Sequence, residues 1–302
     1  MQMVAFNKGI MAGVYGPLSG AEQAMAFEDS GLRSMRCEGG VRRLQEPTLA
    51  ELATRDREMP SITLIVATRN AARTLPQALQ SIWDQQEPRV EVIVIDAAST
   101  DSTLSLLYGA NDRIDYWLSE PDEGIYDAWN KGLAEAHGEW IGFLGSDDRL
   151  LPGALSAYRD AIRSGDPELE YLSSRIRKTS ASGRSRIHGQ PWAWTNFRRW
   201  MTVAHPGSLH HRSLFAELGC FNPCYRSAGD YELLLRAGIT LRAGFLNRVT
   251  ATMQSGGISD SILSLRETFR AQIQTRSLGL ADALRERAVA TAKFYGRRAI
   301  HL

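Results

Sequence analysis

The chain has 302 residues, with 35 basic against 34 acidic side chains and a formal net charge of +1, so global charge gives no case for nucleic acid or another polyanion as a partner. That length allows a sizeable core, in one large domain or two small ones. Cys37, Cys220 and Cys224 form neither an even disulfide framework nor a metal quartet, no signal-peptide pattern opens the chain, and no apolar run is long enough for a membrane span, so a cytoplasmic protein with reduced thiols is expected.

Residues 1–59 mix Gly, Ser, Arg and Glu without sustained periodicity and predict a poorly structured extension. A short helix over 48–57 would place Leu49, Leu52 and Ala53 on one face, and Met59, just before the first strand, offers an alternative start of translation. From residue 60 strands alternate with helical patterns, the signature of a mainly parallel, doubly wound sheet. Strands are predicted over 62–68, 90–95, 114–118, 140–145 and 169–176, and helices over 74–86, 101–108, 125–137 and 152–164. Residues 179–189 read as a hairpin or loop, and the aromatic stretch 191–200 supplies either core residues or sugar-stacking faces. A helix over 212–218, another beginning near Gly229 and a strand over 241–253 complete the domain. Beyond Ser259 the chain turns helical and basic; a solvated face packed on the domain is the preferred reading, and an amphipathic surface resting on anionic lipid is the alternative.

Three strands end in polar clusters: Thr68-Arg69-Asn70, Asp96 to Asp101, and Asp147-Asp148. Open α/β sheets bind ligands outside the carboxyl ends of their strands. Adjacent carboxylates are the hard oxygen ligands that manganese or magnesium prefers, although a solvated acidic turn also explains Asp147 and Asp148. In the helix over 125–137, Asp127 lies three and four residues before Asn130 and Lys131, a spacing that shares a face and equally allows an Asp127–Lys131 ion pair. Asp230 falls near a helix start, as a base or a plain cap, and Glu232, two residues on, points elsewhere.

Four segments, ITLIVATRN, EVIVIDAASTDST, DYWLSEPDEGIYDAWNKGLAEAHGEWIGFLGSDD and HPGSLHHRSLFAELGCFNPCYRSAGDYELLLR, resemble the family 2 glycosyltransferases of the GT-A fold in their order and spacing. The likeness is greatest to bacterial members that build cell-surface polysaccharides. It implies an α/β fold, a Rossmann-like, mostly parallel sheet flanked by helices, with the transferase domain over 60–259 and a C-terminal helical extension over 260–302. It further implies inverting transfer from a nucleoside-diphosphate sugar of UDP or GDP type to a saccharide or lipid-linked glycan acceptor, assisted by Mn2+ or Mg2+. By the same resemblance, Asp148 is the first metal ligand, and Asp147 is a second ligand or a ribose contact. Asp96 accepts a hydrogen bond from the base, and Thr68 and Asn70 lie along the nucleotide cleft. Asp127, Asn130 and Lys131 contact donor or ribose, and Asp230 is the catalytic base. His205 matches a histidine found between the two acidic motifs, and residues 254–259 match a loop that closes over the donor. Ala97-Ala98 departs from the Gly-Gly or Asp-Gly of relatives and predicts a stiffer turn. The alternatives are a sugar-nucleotide-forming nucleotidyltransferase and a catalytically silent nucleotide-sugar-binding scaffold.

Overall fold

The computed structural model describes residues 36–44, 62–87, 90–180 and 182–299. Strand β1 (Cys37–Gly39) and helix α1 (Val41–Leu44) come first, followed by β2 (Ile62–Thr68), α2 (Leu75–Trp83), β3 (Val90–Asp96), α3 (Thr103–Gly109), β4 (Tyr116–Ser119), α4 (Ile125–Glu135) and β5 (Trp140–Gly145). Strands β4, β3, β2 and β5 lie side by side and parallel. Every residue of β2 is buried, and all but the first of β3, as a sheet covered on both faces requires. Alternation divides their side chains between two cores. Ile65, Ile93 and Ile95 face one side with Trp129, Phe143 and Phe221. Leu64, Val66, Val92 and Val94 face the other with Leu75, Leu79 and Leu107. A Cβ at Gly132 would collide with Ile65, so the glycine closing the run DAWNKG lets α4 sit directly on β2.

The second half of the sheet comprises β6 (Arg149–Leu150), β7 (Tyr171–Thr179), β8 (Ser185–His188), β9 (Ser208–His211) and β10 (Ala243–Gln254). Strand β9 inserts antiparallel between β5 and β7, β10 runs parallel to β7, and β6 pairs antiparallel with the end of β10. Strand β8 forms a hairpin with β7, as the reading of 179–189 allowed. The helices here are α5 (Ala154–Ser164), α6 (Trp194–Phe197), α7 (Arg212–Leu218), α8 (Gly229–Ala237), α9 (Ile262–Gln274) and α10 (Leu280–Ala299). Helices α2, α3 and α5 supply one core, and α4, α7 and α8 the other.

The expectation of a poorly structured stretch through residue 59 does not hold at 36–44. Strand β1 pairs antiparallel with β4, and Arg42 reaches the buried Glu91 carboxylate as well as Glu135 O at 2.9 Å. The helix expected over 48–57 and Met59 lie outside the described residues. Strand β9 was not expected, because its sequence SLHH carries no run of β-branched residues and its pairing comes from the strands on either side. The C-terminal helices pack on the domain: Ala271 joins the core and Arg199 bonds Glu286 at 2.9 Å.

Candidate active site

Strand register assembles the rim. Thr68 stands opposite Asp96 and Asp96 opposite Ser119, while Ala67 faces Gly145, so the polar exits of four parallel strands line one edge. Helix α4 begins at the same edge, because it follows β4 and runs back across β2 and β3.

Thr68 is buried, and its hydroxyl has no hydrogen-bond partner among the described residues. Asp96 differs. It is sealed from solvent and accepts hydrogen bonds from Ser99 N at 2.9 Å, from the Ser99 hydroxyl and from Ser119 Oγ at 2.7 Å. Both oxygens are therefore engaged in pinning the β3 exit loop. Asn70 pins the same loop from β2, accepting from Thr100 N at 2.7 Å and donating its own N–H to Ser99 Oγ at 2.7 Å. Asp101 caps α3 through Thr103 N at 3.0 Å and also receives Ala72 N at 3.1 Å. Asn70 and Ala98 adopt left-handed φ of 49° and 48°. Asparagine tolerates that region, whereas alanine at 98 is strained there by about 1 kcal/mol relative to glycine.

The β5 exit holds the paired carboxylates. Asp148 is 5% exposed and accepts the Gly145 N–H at 2.9 Å. Burial pushes its carboxyl up to about 7, the Gly145 bond opposes the rise, and the neighbouring Asp147 charge adds to it. Asp147 is exposed, yet both carboxylates lean over the bare face of Gly145, where a Cβ would lie 3.0 Å from Asp147 Oδ1 and 3.2 Å from Asp148 Oδ2. Two converging carboxylates fit a divalent ion that takes its remaining ligands from phosphate and water, the usual mode for magnesium at phosphate sites. Among the described residues no group of three or more His, Cys, Asp or Glu gathers as a metal cluster.

Asp230 opens α8 and receives the Tyr126 hydroxyl at 3.0 Å, which fixes it at the rim where α4 begins. Burial raises its carboxyl, and the Tyr126 bond works against that rise. A Cβ at Gly229 would come within 2.8 Å of the Tyr126 ring, so the preceding glycine admits the tyrosine. Glu232 is buried and pairs with Arg236 at 3.1 Å, away from Asp230's partner. The loop before Asp230 is held from outside the transferase motifs. The buried Glu267 carboxylate of α9 accepts N–H groups from Arg226 at 2.9 Å, Ser227 at 2.7 Å and Ala228 at 3.0 Å.

The three α4 residues expected to share the cleft separate. Lys131 donates to Pro121 O at 2.8 Å and pairs with Glu120 at 3.0 Å and Asp127 at 3.2 Å, while Asp127 accepts Glu123 N at 3.1 Å. Together they clamp the loop 120–124. Asn130 points elsewhere: its amide exchanges two bonds with the Phe221 backbone, at 2.8 and 3.0 Å. Of the three residues expected to contact the donor, Asn130 holds the Phe221 backbone with one amide N–H and with its carbonyl oxygen. Asp122, in the clamped loop, was not singled out from sequence; burial raises its carboxyl and Lys131 and Arg69 draw it back. Tyr126 was also missed, because an aromatic residue on a buried helix face reads as core. His205 sits in that core, its ring 4.7 Å from Trp129 and stacked on Phe143, and burial drops its pKa to about 3. The aromatic stretch at 191–200 likewise packs inward, with Trp192 4.4 Å from the buried Phe197.

The family model for glycosyl transferase family 2 matches residues 63–215, half of the chain. A PGL/p-HBAD biosynthesis glycosyltransferase of Mycobacterium bovis is 29% identical over 232 residues, covering 72% of this chain and 86% of the relative. The Staphylococcus aureus TarS 1–349 structure with UDP-GlcNAc superposes with a TM-score of 0.59 at 18% identity, over 71% of this chain and 65% of that one, so this chain spans just under two thirds of it. The mannosyltransferase PcManGT of Pyrobaculum calidifontis, solved with GDP-Man and Mn2+, superposes with a TM-score of 0.57 at 19% identity, over 91% of this chain and 81% of that one. These structural likenesses concern the fold, which is the GT-A arrangement of a mostly parallel sheet between helices. The chain belongs to glycosyl transferase family 2.

Proposed function

We propose that the rim transfers a sugar from a nucleoside-diphosphate donor of UDP or GDP type to a saccharide or lipid-linked glycan acceptor, with inversion at the anomeric carbon. The observation that carries the reading is the pairing of two perturbed carboxylates on one rim: Asp148 converging with Asp147 over Gly145, and Asp230 held by Tyr126. Asp148 and Asp147 would hold the divalent ion, which when bound offsets charge on the departing diphosphate. Thr68, with its unpartnered hydroxyl, lines the donor side, while Asn70, Asp96, Asp127 and Lys131 keep the surrounding loops in shape. Asp230 takes the acceptor hydroxyl's proton as the acceptor oxygen bonds to the anomeric carbon. The anomeric C–O bond breaks with its electron pair leaving on the diphosphate. A partly buried carboxyl with a raised pKa is a stronger base than an exposed one, which suits proton abstraction near neutral pH.

TarS was solved with UDP-GlcNAc and PcManGT with GDP-Man and Mn2+, which supports the donor class without choosing the sugar. The PGL biosynthesis relative supports a cell-surface glycan product. Among the described residues no helix is long and apolar enough to cross a membrane. In this reading the protein is cytoplasmic, and the exposed Leu280 and Leu284, one turn apart on α10, are where it would touch the inner face of the membrane. The test is D230N with UDP and GDP, each with manganese and again with chelator. Nucleotide-dependent thermal stabilisation should match the wild type while transfer falls by about two or more orders of magnitude. Wild-type turnover in D230N would exclude Asp230 as the base, nucleotide stabilisation of a wild type that transfers nothing would favour the silent scaffold, and no stabilisation of either protein by any nucleoside diphosphate would overturn the donor site.

A further inference from the structure

The far half of the sheet carries a charge arrangement that the transfer step leaves unused. Lys178 on β7 stands directly opposite Arg186 on β8. Arg184, just before β8, lines the same cavity as both. Like charges facing each other across paired strands weaken the pairing. The fold relieves this only in part: Asp260 reaches Lys178 at 2.8 Å, and among the described residues neither Arg184 nor Arg186 has an ion-pair partner. These cations, with His188, Ser255 and Asp260, line a cavity of about 910 Å³. Three fixed positive charges against one negative leave it cationic, and guanidinium forks match phosphate oxygens two at a time.

Register connects the cavity to the active rim. Thr252 of β10 pairs with Arg177 of β7 on one side and with Arg149 of β6, the residue after Asp148, on the other. Two interstrand spacings, about 10 Å, therefore separate the backbones of Arg177 and Arg149, which are the chain neighbours of Lys178 and Asp148.

We propose that the β7–β8 cavity binds the phosphate or diphosphate of a phosphate-bearing saccharide acceptor, with Arg184 and Arg186 as its anion ligands. The inference rests on the glycosyltransferase reading of the rim and adds the acceptor's chemical class. It is tested with wild type and the doubly exposed-site variant R184E/R186E in chelator, by calorimetric titration with glucose 1-phosphate and with methyl glucoside, and by cosedimentation with phosphatidylcholine vesicles with or without phosphatidylglycerol. Glucose 1-phosphate should bind the wild type, methyl glucoside should not, and the variant should bind about tenfold or more weakly. Binding confined to phosphatidylglycerol vesicles, and lost in the variant, would assign the same anion ligands to a lipid headgroup. Equal binding by variant and wild type, or no binding of either phosphate probe, would overturn the proposal. Manganese-dependent stabilisation by UDP or GDP, measured on both proteins, keeps the two readings apart: its absence sinks the donor site while leaving the phosphate titrations to judge the cavity.

Discussion

Replacing Asp148 by Asn separates the energetic cost of the proposed metal site from its use. Burial lifts the Asp148 carboxyl from the ordinary 3.8 to about 7, against the Gly145 N–H and with the Asp147 charge. Between about pH 4 and about pH 7 the folded chain keeps a proton that the unfolded chain has released, so stability falls as pH rises and the loss is complete above about pH 7. At about 1.36 kcal/mol per pKa step, the ionised carboxylate costs the apo fold about 4 kcal/mol. Asparagine keeps the shape, accepts the Gly145 N–H and never ionises, although its amide brings donors that need partners. D148N should therefore be more stable than wild type by about 2 to 4 kcal/mol at about pH 8.5 in chelator, and similar near about pH 4. Urea unfolding at the two pH values, with m-values compared, reads this directly. Manganese with the bound nucleoside diphosphate should then stabilise the wild type and leave D148N unmoved. Equal urea midpoints at the higher pH would refute the claim that the fold carries an uncompensated buried carboxylate, and a manganese-dependent shift retained in D148N would remove Asp148 from the metal site.

Y126F deletes the hydroxyl that favours the Asp230 carboxylate, so the base becomes harder to ionise. A hydrogen bond to a charged group is worth about 1.5–3 kcal/mol, so the acid limb of the kcat/KM profile should move up by about one to two pH units; an unmoved limb would detach Tyr126 from the base. E267A leaves the N–H groups of Arg226, Ser227 and Ala228 without their acceptor, and should lower stability by about 3 kcal/mol or more and kcat more than donor KM. E267Q, which keeps an acceptor oxygen, should recover part of both, and an E267A protein with wild-type urea midpoint and kcat would show that α9 does not hold the base's loop.

Much of the fold was legible because its central strands are buried on both faces and so read as unbroken apolar runs between polar exits. Strands β2 and β5 and helix α7 have the bounds that the sequence predicts. Strand β9 was not legible, since two of its four residues are histidines and its partners β5 and β7 are distant in sequence. The GT-A resemblance pointed to residues that the fold brings to one rim, but helical spacing alone could not divide its α4 residues. Whether Asn130 faces a ligand or a wall depends on Phe221, which a later loop brings against it. Tyr126 and Glu267 were hidden for the same reason: each acts through a segment far along the chain, and neither residue type at its position departs from what an ordinary helix would carry.

The residues of the rim divide by whether the protein itself satisfies them. Asp96, Asn70, Asp127, Asn130 and Lys131 all find partners in neighbouring loops, and those bonds account for their presence without a ligand. Thr68 keeps a buried hydroxyl with no partner among the described residues, and Asp148 and Asp230 keep carboxyls that burial pushes away from ionisation. Folds rarely leave buried polar groups in that condition, and strongly perturbed carboxyls gather where chemistry is done. The walls hold one unpartnered hydroxyl and two hydrogen-bonded carboxyls whose ionised form burial disfavours. The missing interactions then have to come from what enters the cleft: a cation and diphosphate at Asp148, and an acceptor hydroxyl at Asp230. On that argument the loop-holding residues should tolerate conservative replacement with losses mainly in stability, while removing the charge of a carboxyl that burial disfavours should lose function and gain stability, as D148N is expected to do.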